Sequence, residues 1–325
     1  MDWSSKKILI TGGTGSFGRA FVHYALEHLK PNVIRVLSRD ELKQSEMRQE
    51  FKAPSNLRFF VGDVRDPDRV ERALRGVNVV IHAAAMKRIE VCEYNPFEAV
   101  KTNILGTQNV INMSIDCGVE KVISLSTDKA ANPVNLYGAT KLCQEKIVVQ
   151  SNSYVGPKKT KLACVRYGNV VGSRGSVVHL FRSQYESTGE LSITDDRMTR
   201  FWITLGQAVR FVDTSLQMMR GGEIFVPKLP SMRVMDLAAA LYSKAKTKII
   251  GIRPGEKLHE VMITENESRH TVELGDRFII KPEFPWWSSN FHSDGNSLPE
   301  NFRYSSDNNT DWLTQEDLKK MISES

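Results

Sequence analysis

Tyr137-Gly138-Ala139-Thr140-Lys141 sets a phenol and an amine four positions apart, so on a helix the two share one face. A cation beside a tyrosine favours the phenolate and lowers its pKa toward the range of a general base. The spacing alone is common, and a second feature upstream gives it weight. Thr11-Gly12-Gly13-Thr14-Gly15-Ser16-Phe17-Gly18 carries glycines in a G-x-x-G-x-x-G pattern. Glycines there let a chain turn tightly, approach a pyrophosphate and pack helix on strand, while the helix N-terminus offers N–H groups to the anion. Gly12, Thr14, Gly15, Ser16, Phe17 and Gly18 are therefore candidates for binding a dinucleotide.

Such a turn works only between a strand and a helix. Short β-branched runs at 7–10, 33–37, 57–61, 77–81 and 121–125 read as strands, with further strands at 162–166 and 223–226. Between the first five lie amphipathic stretches at 17–29, 67–75 and 96–117, and another follows at 136–151. Strands alternating with helices predict parallel βαβ units. The fold class is α/β: a Rossmann-type doubly wound parallel sheet with a smaller C-terminal α/β substrate-binding domain. Residues 1–171 form the dinucleotide-binding domain, with 205–228 returning to it, and 172–325 form mainly the substrate domain and tail. Helices are expected at 207–219 and 233–243. The stretch 283–311, rich in Pro, Ser, Asn and Asp, reads as an ordered but irregular tail that packs Trp286 and Trp287. A closing helix over 311–323 has Thr314 as N-cap.

The end of the second strand chooses between cofactors. An acidic residue there would bond the ribose 2′-OH of NAD. Here Ser38-Arg39 stands, with Lys43 close behind, and a hydroxyl with two cations suits the 2′-phosphate of NADP. Asp63, followed by Val64, offers a carboxylate to the adenine, or is a plain helix-start residue with Asp66 as N-cap. Ala83, Ala84 and Ala85 give the close approach that a cofactor ribose needs, and His82 before them reads as a packed core histidine.

The chain has 325 residues, with 44 basic against 38 acidic, a net charge of +6 and a pI near 9.0. With 41% hydrophobic and 25% charged residues it is neither disordered nor a disulfide miniprotein. The basic residues are dispersed, which argues against nucleic acid and fits anionic small molecules. Cys92, Cys117, Cys143 and Cys164 lack disulfide-framework and metal spacing, His259-Glu260 lacks a second histidine, and no metal is expected. No run approaches the roughly 18 apolar residues of a membrane helix, and no signal peptide opens the chain, so a cytoplasmic location without membrane contact is expected.

The glycine turn with Y-x-x-x-K resembles the extended short-chain dehydrogenase/reductase superfamily. Within it the chain is most similar to the inverting UDP-N-acetylglucosamine 4,6-dehydratases of pseudaminic acid synthesis. The residues that carry this are Ser38-Arg39-Asp40-Glu41-Leu42-Lys43-Gln44, Ser126-Thr127-Asp128-Lys129-Ala130 and the run from Arg166-Tyr167-Gly168-Asn169 to Gly175. Ile193-Thr194-Asp195, Arg197-Met198-Thr199-Arg200-Phe201, Gly251-Ile252-Arg253-Pro254-Gly255-Glu256-Lys257 and Tyr304-Ser305-Ser306-Asp307 extend it.

The resemblance implies NADP held through the cycle and UDP-N-acetylglucosamine as substrate. Tyr137, assisted by Lys141 and Thr127, would take the proton of the sugar 4-OH while hydride leaves C4. The 4-ketone acidifies the C5 proton. Lys129 would remove that proton, given an amine pKa lowered by burial or a neighbouring cation. Asp128, kept protonated, would donate to the departing 6-oxygen, and the product would be inverted at C5. A solvated ion pair is the plainer account of Asp128-Lys129. On the substrate side, Asn169, Val170 and Thr199 would line the sugar nucleotide, Arg174 and Arg253 would meet its pyrophosphate, and Glu256 its ribose. Lys87 would lie between cofactor and sugar, while Arg197 and Arg200 serve either substrate or subunit contacts. A homo-oligomer, dimer or hexamer, is implied through helices 96–117 and 136–151. A C4-epimerase or retaining dehydratase is the rival among enzymes, opposed by Lys129. An NADP-sensing binding protein is the rival outside them, opposed by Tyr137 and Lys141.

Overall fold

The computed structural model describes residues 1–172, 176–284 and 292–323. The first half alternates strand and helix: β1 (Lys7–Thr11), α1 (Ser16–Tyr24), β2 (Val33–Ser38), α2 (Glu41–Glu50), β3 (Leu57–Val61), α3 (Pro67–Leu74) and β4 (Val79–His82). Then come α4 (Ile89–Tyr94), α5 (Pro96–Val100), α6 (Gly106–Asp116), β5 (Lys121–Thr127), α7 (Leu136–Ser151) and β6 (Lys161–Tyr167). The second half holds β7 (Asn169–Val170), α8 (Val177–Thr188), β8 (Glu190–Ile193), β9 (Thr199–Ile203), α9 (Leu205–Met218), β10 (Ile224–Pro227), β11 (Ser231–Arg233) and α10 (Val234–Leu241). It closes with β12 (Lys246–Ile249), β13 (Val261–Ile263), α11 (Glu265–Ser268), β14 (Thr271–Leu274), β15 (Arg277–Ile280), β16 (Asn296–Ser297), β17 (Tyr304–Ser305) and α12 (Gln315–Ser323).

Ten strands form one sheet in the order β16-β14-β15-β10-β6-β5-β4-β1-β2-β3. The seven from β10 to β3 are parallel, as the alternation of strands and helices requires. Ile8, Leu9, Ile10, Val79, Val80 and Ile81 are fully buried, the pattern of strands covered on both faces. This bears out the α/β expectation, and β15, β14 and β16 add an antiparallel edge that the sequence reading did not contain. A second apolar cluster joins Phe181, Leu191, Ile193, Trp202, Leu237 and Leu318, outside the main sheet.

Side-chain caps fix where the helices begin. Asp40, Asp66 and Asn135 accept from the amides of Lys43, Arg69 and Gly138 at 3.0, 3.0 and 2.7 Å. Thr314 caps α12 by accepting from Asp317 N at 3.1 Å. The helix expected over 96–117 is interrupted by a π-helical turn at Lys101–Leu105, and the one expected over 17–29 ends in a π-helical turn at Ala25–Leu29. Trp286 and Trp287 lie outside the described residues.

One buried ion cluster ties three segments together. Arg166 of β6, fully buried, donates to Glu145 of α7 through Nε at 2.9 Å and Nη2 at 2.6 Å. It also donates to Glu267 of α11 at 2.8 and 3.0 Å and to the Met262 carbonyl of β13 at 2.7 Å. Those bonds use every guanidinium proton. Burial pushes the Glu267 carboxyl up, but the Arg166 guanidinium prevails and holds it below its ordinary value. Its contribution to stability is therefore complete above pH about 4.3 and is lost as pH falls through the lowered value. Arg166→Met leaves two buried carboxylates without their cation and is expected to cost about 3–5 kcal/mol. Urea unfolding at neutral pH reads this as a lower midpoint at unchanged slope, and the gap to the parent narrows as pH falls and the carboxyls take up protons.

Candidate active site

The glycine turn sits at the carboxyl end of β1, between β2 and β4, where the strand order reverses and doubly wound sheets bind ligands. Gly12 has φ +64°, and a Cβ there would meet the backbone of Ala84 at 2.8 Å. No side chain caps the N-terminus of α1, which leaves that end of the helix to an anion. The loop after β4 is held from behind. The π-helical turn carries Asn103 inward, where its amide accepts from Met86 N at 2.8 Å and donates to Met86 O at 2.9 Å and Thr140 Oγ1 at 3.0 Å. His82 is the core histidine expected: its ring nitrogens meet Thr11 and Thr107, and burial pulls its pKa down to about 3.

A cavity of about 1020 Å³ opens from this turn across the ends of β5 and β6. Gly12, Thr14, Gly15, Ser16, Phe17, Gly18, Lys43, Ala83, Ala84, Ala85 and Lys87 line one end. Thr127, Lys129, Tyr137 and Lys141 line the middle, and Asn169, Val170, Arg253 and Glu256 the other end. The volume is at the upper limit for one small ligand and suits a dinucleotide with a second molecule. Ser38, Arg39, Asp63 and Val64 are outside the lining. The Ser38 hydroxyl accepts from Gln44 at 2.9 Å, Arg39 faces Asp63 at 3.7 Å, and Lys43 pairs with Asp40 at 2.6 Å. Arg174 lies outside the described residues.

At the centre, β5 ends in Thr127, whose hydroxyl donates to Asp128 Oδ1 at 2.9 Å. Lys129 Nζ donates to the same oxygen at 3.0 Å and reaches Glu260 Oε1 at 3.0 Å. Asp128 is fully buried, and among the described residues its Oδ2 has no hydrogen-bond partner. Burial, reinforced by Glu260, pushes the Asp128 carboxyl above its ordinary range. Its proton affinity is raised and its bare Oδ2 is the place for a proton, while Oδ1 accepts from Thr127 and Lys129.

Two expectations about proton affinity are overturned. Lys129 is held above the ordinary amine value: burial alone would lower it, but the carboxylates of Asp128 and Glu260 outweigh burial. Tyr137 is pushed up to about 12 by burial, against the lowering effects of Lys129 and a Thr127 hydrogen bond. Lys141 donates to the Leu125 carbonyl and Gln144, and burial brings it down to about 8. Thr199 is corrected as well. It is 3% exposed, its hydroxyl is engaged by His259 at 2.8 Å and Ser306 at 2.7 Å, and it supports the site from behind.

A sequence model described as polysaccharide biosynthesis protein matches residues 8–282. The chain belongs to that family. It is 52% identical over 328 residues to a UDP-N-acetylglucosamine 4,6-dehydratase (inverting) of Campylobacter jejuni, with 98% of each chain covered. It is 42% identical to a UDP-glucose 4-epimerase of Rickettsia canadensis, over 85% of this chain and 82% of that one. The structure of Pen from Bacillus thuringiensis superposes with a TM-score of 0.90 at 38% identity, covering both chains fully. The resemblance drawn from the motifs is thereby borne out at the level of the family.

Within this family fold, the sequence reading gave no role to Glu260 and Lys257, which face Lys129 from the second half, and gave Arg200 to substrate or subunit contacts. Glu260 precedes β13, Arg200 lies on β9 with its Nε 3.8 Å from Glu260, and Lys257 Nζ donates to the Ala131 carbonyl at 2.6 Å. Tyr167 and Trp202 also line the cavity. Arg197 is exposed and paired with Asp195 at 2.8 Å. Arg253-Pro254-Gly255 docks on the start of α7 through Asn135 Nδ2 to the Gly255 carbonyl, 2.7 Å.

Gly138 lets α7 approach the Asp128–Ala130 turn, since a Cβ there would lie 2.2 Å from the Lys129 carbonyl oxygen. Helix propensity alone favours Ala over Gly by about 1 kcal/mol. Gly138→Ala is expected to lower the melting temperature despite that gain, because the intruding methyl meets fixed backbone. Differential scanning calorimetry checks the sign.

Proposed function

We propose that this chain is an NADP-dependent, configuration-inverting 4,6-dehydratase of UDP-N-acetylglucosamine. The observation that carries the reading is that Tyr137 and Lys129 line one cavity beside a dinucleotide cradle, with Asp128 bonded to Lys129 from just behind the cavity wall. An epimerase needs the tyrosine but has no elimination to catalyse, so the pair favours the dehydratase over that relative's reaction. The product is UDP-2-acetamido-2,6-dideoxy-β-L-arabino-hex-4-ulose, a precursor suited to pseudaminic acid or a related sugar.

The glycine turn, the open N-terminus of α1 and the Ala83–Ala85 loop fit the cofactor, which when bound accepts hydride from C4 and returns it to C6. Tyr137 takes the 4-OH proton, supported by Thr127 and Lys141. Lys129 first passes its extra proton to the Glu260 carboxylate 3.0 Å away and, as the free amine, removes the C5 proton once the 4-ketone has acidified it. Asp128 donates from Oδ2 to the 6-oxygen as it leaves. Arg253 and Glu256 hold the nucleotide end, with Asn169 and Val170 near the sugar diphosphate and Lys87 between the two ligands. In this reading residues 1–171, with 205–228, carry the cofactor and the remainder the substrate.

The preference for NADP rests on Arg39 and Lys43. Each is itself exposed and pairs with a carboxylate, a contact worth about 0–1 kcal/mol, whereas a hydrogen bond to a charged phosphate contributes about 1.5–3 kcal/mol. The phosphate therefore wins the exchange. Exposed Tyr94, Phe97 and Leu105 support a second copy packing along 89–105. Four free thiols fit a reducing, cytoplasmic setting.

Incubation with UDP-N-acetylglucosamine in deuterated water, followed by NMR, is expected to give a 6-methyl signal, deuterium at C5 and couplings of the L-arabino product. A D-xylo product would mean retention, and the 4-epimer alone an epimerase. Lys129→Ala is expected to lose C5 deuteration and turnover by at least a hundredfold; full activity would remove Lys129 from the mechanism. Arg39→Ala is expected to weaken NADP binding about tenfold or more while leaving NAD within threefold, measured by fluorescence titration of the reduced dinucleotides.

A further inference from the structure

Glu260 is the one carboxylate in the cavity lining that has three cations around it. Lys129 Nζ lies at 3.0 Å, Arg200 Nε at 3.8 Å and Lys257 Nζ at 3.8 Å. It is 2% exposed, and among the described residues its Oε2 has no hydrogen-bond partner. Its backbone is fixed on both sides: Glu260 N donates to Ser306 Oγ at 3.0 Å, and Ser306 N donates to Glu260 O at 2.8 Å. Two residues on, the Met262 carbonyl is gripped by Arg166. The side chain is thus delivered to Lys129 by a rigid segment.

The charge count at this spot is decisive. One ammonium, Lys129, sits between two buried carboxyl groups at equal distance. Only one of them is needed as its counter-ion. Asp128 faces Lys129, Glu260, the Thr127 hydroxyl, the Tyr137 phenol and, farther off, Lys257. Glu260 has Arg200 and Lys257 besides, so the negative charge belongs on Glu260. We propose that Glu260 is a positioning residue: in the resting enzyme it is the counter-ion of Lys129 and so leaves Asp128 free to keep the proton it gives to the leaving oxygen. This rests on the dehydratase reading above. The step itself moves the Asp128 proton to the 6-oxygen as the C6–O bond breaks, leaving Asp128 ionised and releasing water.

With Glu260→Gln the ammonium has only Asp128 to pair with, and Asp128 ionises. Infrared difference spectra against Asp128→Asn test this without any substrate. The wild-type protein at pH 7 is expected to show the C=O band of a protonated carboxyl assigned to Asp128. Glu260→Gln is expected to lose that band and Glu260→Asp, which keeps the charge, to retain it. Absence of the band in the wild type, or its persistence in Glu260→Gln, overturns the proposal. A collapsed fold in the Gln variant leaves the wild-type band and the Asp variant as the deciding measurements.

Kinetics then separate this role from general support. The falling limb of kcat with rising pH reports the acid, so in Glu260→Gln it is expected to move down by at least one pH unit. The kcat at pH 7 falls at least tenfold, with KM within threefold. If the infrared band behaves as expected and the limb stays put, Asp128 is not the acid and the mechanism proposed for the site fails, while the role of Glu260 as counter-ion stands.

Discussion

The fully buried Arg166 guanidinium is the point at which the two halves of the molecule are fastened. Its five protons all find oxygen, on α7, on α11 and on the backbone of β13. Burying an arginine costs several kcal/mol unless every donor is met, so the arrangement is favourable only when all three segments are in place. That condition makes it a specificity device as much as a source of stability. The same α7 that carries Glu145 carries Tyr137 and Lys141 two turns and one turn earlier, and the same β13 follows Glu260. Fixing Arg166 therefore fixes the distance between the phenol side and the carboxylate side of the cavity.

Smaller contacts complete what the clamp begins. Asn135 both caps α7 and holds the Gly255 carbonyl, so the start of that helix and the loop bearing Arg253 and Glu256 share one side chain. Asn103 does the same on the cofactor side, joining the loop after β4 to Thr140 of α7. It reaches inward because the helix there widens into a π turn, a local departure that often marks functional positions. In each case a short amide spans two segments that a hydrophobic contact would leave free to slide.

The sheet and the first half of the site were legible because both follow from local rules. β-branched runs between helical stretches announce parallel strands, and the order of β3 to β10 follows from right-handed crossovers. Glycines at 12, 15 and 18 and the Tyr137–Lys141 spacing are features of one turn and one helix, readable without knowing what lies opposite. What could not be read is what arrives from afar. Glu260 lies 131 positions beyond Lys129 in a stretch with no motif of its own, and only tertiary folding brings the two to 3.0 Å. Thr199 was misjudged for the same reason, since its partners His259 and Ser306 come from two distant loops. A helix break at Lys101–Leu105 has no sequence mark such as proline, so the stretch 96–117 read as one helix.

Lys129 and Lys141 show why proton affinity in particular escapes a sequence reading. Both are buried lysines of one site, and burial pushes both amines toward neutrality. Lys141 meets only neutral oxygens, from Leu125 and Gln144, and burial carries it down to about 8. Lys129 meets two carboxyl groups, and their attraction reverses the direction. The two amines therefore suit opposite tasks. One gives up its charge near neutral pH, one helical turn from Tyr137. The other keeps its ammonium until a stronger acceptor or a change in the neighbouring carboxyls releases it. Proton affinity at this site is thus set by the groups each amine meets, and not by burial alone.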